Sequence, residues 1–234
     1  MADCVFITGT SSGLGHGLAA EFLDQGRDVY GLSRRKAGIE SSQFHETQTD
    51  LAALDTIDSA LDRLIGDADI ALAILSAGVI GDFKAMPAVT MDELRHAMDI
   101  NVWANKRILD WFSRHQAPRQ IVLISSGAAV TGNRGWGSYA LSKAALNMLT
   151  QLYAHDLPHT HLTALAPGLV HTAMQDKINA DADSDKFPSV QRLQQARGTS
   201  AMPEPRAAAR LIIDALPQLR RQNASGSFAD LRQL

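Results

Sequence analysis

The chain has 234 residues, 45% hydrophobic and 20% charged, which is enough to bury a core without disulfide or metal staples. With 22 Lys and Arg against 25 Asp and Glu, the formal charge is -3, and no basic excess points to a nucleic-acid partner. Cys4 is the only cysteine, which excludes an intrachain disulfide framework and fits a reducing, cytoplasmic setting; the longest plain apolar run, Ile70 to Leu75, is too short for a membrane span, and the N-terminus lacks a signal-peptide pattern.

Val5-Phe6-Ile7 predicts a strand that runs into a glycine-rich turn. From Leu14 the apolar residues 14, 18, 19, 22 and 23 form a helical stripe that ends at Gly26. Val29 to Leu32 predicts the next strand, Phe44 to Thr47 a weaker one, and Leu54 to Ile65 a helix. Ile70 to Leu75 is apolar at every position, as suits a strand covered on both faces. Thr90-Met-Asp-Glu93 is a capping box, opening a long helix expected to run to Phe112. Ile121 to Ile124 predicts a strand, Tyr139 to His155 a helix, and Leu162 to Ala166 a strand closed by Pro167-Gly168. The stretch from about 174 to 205, polar from 176 onward and carrying Pro188, Pro203 and Pro205, is expected to be a mobile substrate-loop insertion. A helix from Ala207 to Leu216 and a strand from Ser227 to Leu231 finish a single domain, 1–234. Strands alternating with helices, several of them uniformly apolar, indicate an α/β doubly wound parallel sheet. Ligands on such sheets bind beyond the carboxyl ends of the strands, where the strand order reverses.

Thr8-Gly9-Thr10-Ser11-Ser12-Gly13-Leu14-Gly15 joins the first strand to the first helix. Glycines there allow close backbone approach, and a helix N-terminus offers free N–H groups to a pyrophosphate; a ligand-free glycine turn is the alternative. The second strand ends in Ser33-Arg34-Arg35, without the acid that would hold both ribose hydroxyls of NAD. Arg34 suits a 2′-phosphate, or else belongs to a solvated basic turn.

Tyr139 and Lys143 lie one helical turn apart, and a neighbouring ammonium favours a phenolate. Ser125-Ser126 ends an apolar strand at the sheet edge. Asn101, mid-way along a helix, is either a satisfied core amide or part of a polar network. Trp136, between Gly135 and Gly137, is a pocket wall or a core anchor. His155, His159 and His161 cluster, yet no Cys or carboxylate completes a zinc set at familiar spacing, so no metal is expected.

Together Thr8-Gly9-x-x-x-Gly13-x-Gly15, Asn101, Ser126, Tyr139-x-x-x-Lys143 and Pro167-Gly168 with Thr172 resemble the compact type of the short-chain dehydrogenase/reductase superfamily over nearly the whole chain. The resemblance implies a seven-stranded Rossmann sheet and an NAD(P)-dependent oxidoreductase. By that resemblance Tyr139 exchanges the proton with the substrate oxygen and Ser126 orients it. Lys143 binds ribose hydroxyls and lowers the tyrosine pKa, while Asn101 holds a water of a proton relay. Thr172 contacts the nicotinamide carboxamide and Asp50 the adenine. The implied cofactor contacts are Gly9 to Gly15 (with Thr10, Ser11, Ser12, Gly13 and Leu14), Ser33, Arg34, Asp50, Leu51, Ser76, Ala77, Gly78, Tyr139, Lys143, Pro167, Gly168, Val170 and Thr172. Where the family carries Asn-Asn-Ala-Gly after the fourth strand, Leu75-Ser76-Ala77-Gly78 stands, so both amides are missing.

The segment Pro167 to Gln175 and the tail Ser225 to Asp230 are similar to the sepiapterin reductase and benzil reductase branch, with His171 in place of an Asp. That similarity implies a pocket walled by Ala128, Trp136, Leu169 and Met174, with Asp230 nearby. The expected activity is NADP(H)-preferring reduction of a small ketone or diketone by a homodimer or homotetramer, with no nucleic-acid or membrane partner. A dinucleotide-sensing regulator without catalysis is the rival from another class.

Overall fold

All five residues of strand β1 (Cys4–Thr8) are buried, because it lies inside a sheet whose two faces are both covered. β2 (Val29–Ser33), β3 (Phe44–Gln48), β4 (Ile70–Leu75), β5 (Gln120–Ile124), β6 (His161–Ala166) and β7 (Ser227–Asp230) complete it. The order is β3-β2-β1-β4-β5-β6-β7, and every pairing is parallel. Parallel neighbours need crossovers, which here are helices laid on both faces. This computed structural model describes residues 4–181 and 185–234. Residues 1–3 and 182–184, part of the expected domain and insertion, lie outside the described residues.

β1 shows why no polar alternation marks the inner strands. Cys4 and Phe6 join one core with Ile57, Leu61, Ile108, Phe112 and Leu162, beneath α2 (Ile57–Ile65), α4 (Ala104–Arg114) and α5 (Gly137–Asp156). Val5 and Ile7 join the other, with Leu18 and Phe22 of α1 (Gly13–Asp24) and Ile212 and Leu219 of α8 (Pro205–Gln222). Successive side chains point to opposite faces, and each face finds an apolar layer. β3 is one of the two edge strands, and its Phe-His-Glu-Thr-Gln sequence is only partly buried.

The capping box forms as expected at α3 (Met91–Met98): Thr90 Oγ1 accepts from Glu93 N (3.2 Å), and Thr90 N donates to Glu93 Oε2 (2.8 Å). The long helix expected beyond it is not continuous. A π-helical turn, Asp99–Trp103, separates α3 from α4 and carries the fully buried Asn101. The last helix also differs, running through Pro217 to Gln222 instead of stopping at Leu216. Proline removes one helical hydrogen bond, but Leu216 and Leu219 pack into the core on either side of it, and tertiary burial prevails.

The expected mobile insertion contains two docked helices, α6 (Ala173–Asp181) and α7 (Pro188–Ala196). Its sparse apolar residues Ile178, Phe187, Val190 and Leu193 are all buried in a third cluster with Ile80 and Tyr139. Polar composition overall hid this one-sided face.

α1 and α8 are tied by Glu21, whose side chain is only 7% exposed and accepts from Arg206 Nε (2.6 Å) and Arg210 Nε (2.9 Å). The Arg210 hydrogen bond, with help from Arg206, holds the carboxyl below its ordinary range despite burial. A depressed carboxylate pKa contributes stability above the unfolded value, lost as pH falls through the folded one. Glu21→Gln should therefore lower stability at neutral pH by about 1–2 kcal/mol, since solvent screens the half-exposed arginines. Melting curves of wild type and variant should converge as the pH falls below the ordinary carboxylate range; a pH-independent gap would contradict the charge-based account.

Candidate active site

The strand order reverses between β1 and β4, and a cavity of about 680 Å³ opens over their carboxyl ends. Its first wall is the turn after β1. Gly9 has φ +81°, and a methyl there would lie 3.1 Å from Ala77 Cα. A methyl on Gly15 would lie 2.4 Å from the Gly9 carbonyl oxygen. Only glycines let this loop lie flat between β4 and α1. Ser11, Ser12, Gly13 and Leu14 face the cavity, and Ser12, at the N-cap of α1, makes no side-chain cap hydrogen bond. The leading N–H groups of α1 thus have no side-chain cap, an arrangement that suits a pyrophosphate.

Thr10 departs from its expected place. It is fully buried and donates from Oγ1 to Ser33 Oγ (3.4 Å), supporting the loop from beneath instead of lining the cavity. Ser33 donates in turn to the Arg35 carbonyl (2.7 Å), which shapes the turn after β2. Arg34 and Arg35 are exposed and line this end of the cavity, and among the described residues neither guanidinium forms an ion pair. Asp50 and Leu51 close the same end. Ser76, Ala77 and Gly78 form the floor after β4, with Ala77 N donating to Thr8 Oγ1 (3.0 Å). A methyl on Gly78 would come within 3.0 Å of Asn101 Oδ1 and 3.5 Å of Lys143 Nζ. Ala77 and Gly78 thus keep the backbone close-packed here, although both amides of the family pattern are missing.

At the other end, Ser126 after β5 lines the cavity together with Tyr139, and its Oγ accepts from Ala128 N (3.1 Å). Tyr139 is 8% and Lys143 4% exposed. Lys143 donates to the Ile124 carbonyl (2.7 Å) and stands 5.7 Å from the Tyr139 ring centroid. The ammonium was expected to pull the phenol toward ionisation. Instead, burial pushes the Tyr139 pKa up, and the opposing influence comes from Ser126. Burial also lowers Lys143 to about 8. The lysine turns its hydrogen bond to the sheet edge, not to the phenol.

Asn101 is both things the sequence left open, a satisfied amide and a network member. Its Oδ1 accepts from Val79 N and its Nδ2 donates to Val79 O (both 2.8 Å) and Ser142 Oγ (2.9 Å). It pins the segment after β4 to α5 and is not among the cavity walls. From the turn after β6, Pro167, Gly168, Val170 and Thr172 line the cavity, and Thr172 Cγ2 lies 3.2 Å from where a Gly13 methyl would sit. That contact brings the two loops together across it.

Trp136, Leu169 and Met174 wall the side next to Tyr139. Ala128 packs in the same apolar cluster but is not a wall. Trp136 also anchors the insertion, donating from Nε1 to Ser189 Oγ (2.8 Å) of α7, and it meets Phe83 edge-on at 4.9 Å. Asp230, expected near the pocket, is not among the cavity walls. Arg232 binds its carboxylate at 2.9 and 2.5 Å and lays its own aliphatic stem beside Gly168. The sequence reading missed Ile80, Phe83, Phe187 and Arg232; the Asp-x-Arg spacing of the tail was the available signal for the last. Of the three histidines, His161 meets the Asn223 carbonyl (2.9 Å) at the start of β6, the end away from the cavity. Among the described residues no three His, Cys, Asp or Glu side chains group as a metal site.

The short-chain dehydrogenase family profile matches residues 3–183. Among curated proteins, the chain is 28% identical to a benzil reductase, (S)-benzoin forming, of Bacillus subtilis, over 92% of this chain and 93% of that one. It is 27% identical to a benzil reductase of Saccharomyces cerevisiae, over 93% and 92% of the two chains. A solved short-chain dehydrogenase/reductase from S. cerevisiae superposes with a TM-score of 0.85 at 19% identity, covering 98% and 96%. With a glycine cradle fitted to a dinucleotide at one end and Ser126, Tyr139 and Lys143 at the other, the chain belongs to the short-chain dehydrogenase family of NAD(P)-dependent oxidoreductases.

Proposed function

We propose that the protein is an NADPH-preferring carbonyl reductase in which Tyr139 is the proton donor. The observation that carries this reading is the meeting of Ser126, Tyr139 and Lys143 at the wall of one cavity, continuous with the dinucleotide cradle. When bound, the nicotinamide supplies a hydride to the carbonyl carbon. The N-terminus of α1 would hold the pyrophosphate, Arg34 the 2′-phosphate, Asp50 the adenine, Lys143 a ribose and Thr172 the carboxamide.

Burial keeps the Tyr139 phenol protonated at neutral pH, the state a reductase needs in its donor. Charge that develops on the substrate oxygen is far more basic than a phenolate, so the proton moves downhill. Ser126, fixed by Ala128 N, supplies the second contact that orients this oxygen. Asn101 contributes as a positioning residue, through Val79 and Ser142. A regulator that only senses dinucleotide has no use for the Ser126–Tyr139 pair.

The relatives that reduce benzil, together with the aromatic wall of Trp136 and Phe83, support flat aromatic 1,2-diketones as the substrate class. Leu141, Met148 and Leu152 are half-exposed along one face of α5, with Trp103 beside α4. That stripe supports a homodimer or homotetramer. Cys4, buried and the chain's single cysteine, agrees with a cytoplasmic setting. No helix among the described residues is long and apolar enough to cross a membrane.

Tyr139→Phe should reduce turnover about a hundredfold or more while leaving NADPH affinity intact. Fluorescence titration beside steady-state rates checks both, and undiminished turnover would remove Tyr139 from the reaction. Arg34→Ala should weaken NADPH about ten- to a hundredfold, the loss of one charge-assisted contact, and barely affect NADH. Equal weakening of the two would place Arg34 elsewhere than on the 2′-phosphate. Finally, benzil should be reduced with a higher kcat/KM than aliphatic ketones, sugars or acetoacetyl thioesters. A clear preference for the thioester in that panel would assign the pocket to a different substrate class.

A further inference from the structure

His171 lies at the root of the insertion, in the turn between β6 and α6, and its backbone N–H donates to the Pro203 carbonyl (2.9 Å) at the far root. Both nitrogens of its ring face carboxylates. Nδ1 is 2.7 Å from Glu204 Oε1, at the N-cap of α8, and Nε2 is 3.7 Å from Asp176 Oδ1 on α6. Asp176 in turn receives Arg197 Nη2 (2.6 Å) from the C-cap of α7. These are the charged groups that face the ring: Asp176 from α6, Glu204 from α8, and Arg197 from α7 by way of Asp176.

A neutral imidazole has one N–H and one lone pair, so one of its nitrogens would turn a lone pair toward a carboxylate. Only the imidazolium presents N–H to both. We propose that His171 is a positioning residue, whose protonated ring clamps α6 to the start of α8 and so fixes α6 at the cavity wall, and whose deprotonation loosens it.

Besides its buried apolar cluster, the insertion has further ties among the described residues. Lys177 on α6 reaches Asp82 (3.1 Å), Ser189 on α7 accepts from the Trp136 indole, and Phe187 lies against Gly135. Met174, Gln175 and Lys177, all on α6, line the cavity. A small shift of α6 therefore changes the pocket directly, without touching Ser126, Tyr139 or Lys143. An aspartate at 171, as in the branch this segment resembles, would instead face Glu204 and Asp176 with like charge.

The test follows the indole N–H resonance of Trp136, assigned by its loss in Trp136→Phe, through the range of about pH 5 to 8 in which imidazoles change charge. Wild type should show a transition. His171→Gln should lack it and hold the high-pH position, and His171→Lys, charged throughout, should hold the low-pH position. His171 is 30% exposed at the side chain, so neither replacement strains the core. The parallel kinetic measurement rests on the carbonyl-reductase reading. The wild-type KM for the carbonyl should rise about two- to fivefold over that range relative to His171→Lys, the scale of a solvent-screened ion pair, with the kcat profiles of the two enzymes superimposable. A Trp136 signal indifferent to pH, or one that titrates equally in His171→Gln, overturns the clamp. If Trp136 responds and KM does not, the clamp stands and the carbonyl pocket is misplaced.

Discussion

The structure depends on one reversal, the point between β1 and β4 where a parallel sheet stops adding strands on one side and starts on the other. Every inner strand is buried on both faces, so its backbone groups are spent on the ladder and its side chains on two apolar cores. Polar chemistry is left to the strand ends. At the reversal the turns after β1 and β4 diverge, and the floor between them is kept open by backbone approaching backbone, Gly9 against Ala77. Replacing the family's paired amides by Leu75 and Ser76 leaves that approach intact, since it depends on the small size of Ala77 and not on hydrogen bonding.

Tyr139 and Lys143 are placed where water is scarce, and burial shifts the two in opposite directions. Desolvation disfavours the charged form of each, raising the phenol of Tyr139 and lowering the ammonium of Lys143 to about 8. The two effects bring the residues toward the same neutral condition, a protonated phenol beside an amine that loses charge readily. The hydrogen bond of Lys143 to the Ile124 carbonyl holds the amine at the sheet edge, within reach of Gly78 on the cavity floor. A simple charge pair along one helical turn, as the spacing of Tyr139 and Lys143 suggests, would have produced the reverse shift in the tyrosine.

What could be seen in the sequence follows from the range of the interactions involved. The strands, the capping box at Thr90 and the glycine turn are set by neighbours a few residues away, and they stand where the local pattern puts them. The π-helical turn at Asn101 is not local: it exists because that amide bonds to Val79 and Ser142, which only the folded sheet brings near. The passage of α8 through Pro217 likewise needs the core around Leu219. Thr10 and Asp230 look like site residues by position, yet Ser33 and Arg232 bind them, and those pairings depend on rotamers, not on spacing. The helices of the insertion were hidden because four buried apolar residues among many polar ones give a weak period until an aromatic pocket exists to receive them.

The division of labour in the site matches this division of range. The groups we propose to act on the reacting oxygen hang from the ends of β5 and from α5, both packed into the larger core, so their geometry is as rigid as the fold. Groups that shape the pocket hang from α6 and α7, held by one apolar cluster, an indole hydrogen bond and ion pairs that are half solvated. Local stability in such a segment is set by few contacts and is correspondingly small. Substitutions there can change what is bound, and under what conditions, at little cost to the sheet or to Tyr139. His171 and the Arg232 lock on Asp230 lie on the pocket side of that line, so what shapes the pocket is separated from what we propose does the chemistry.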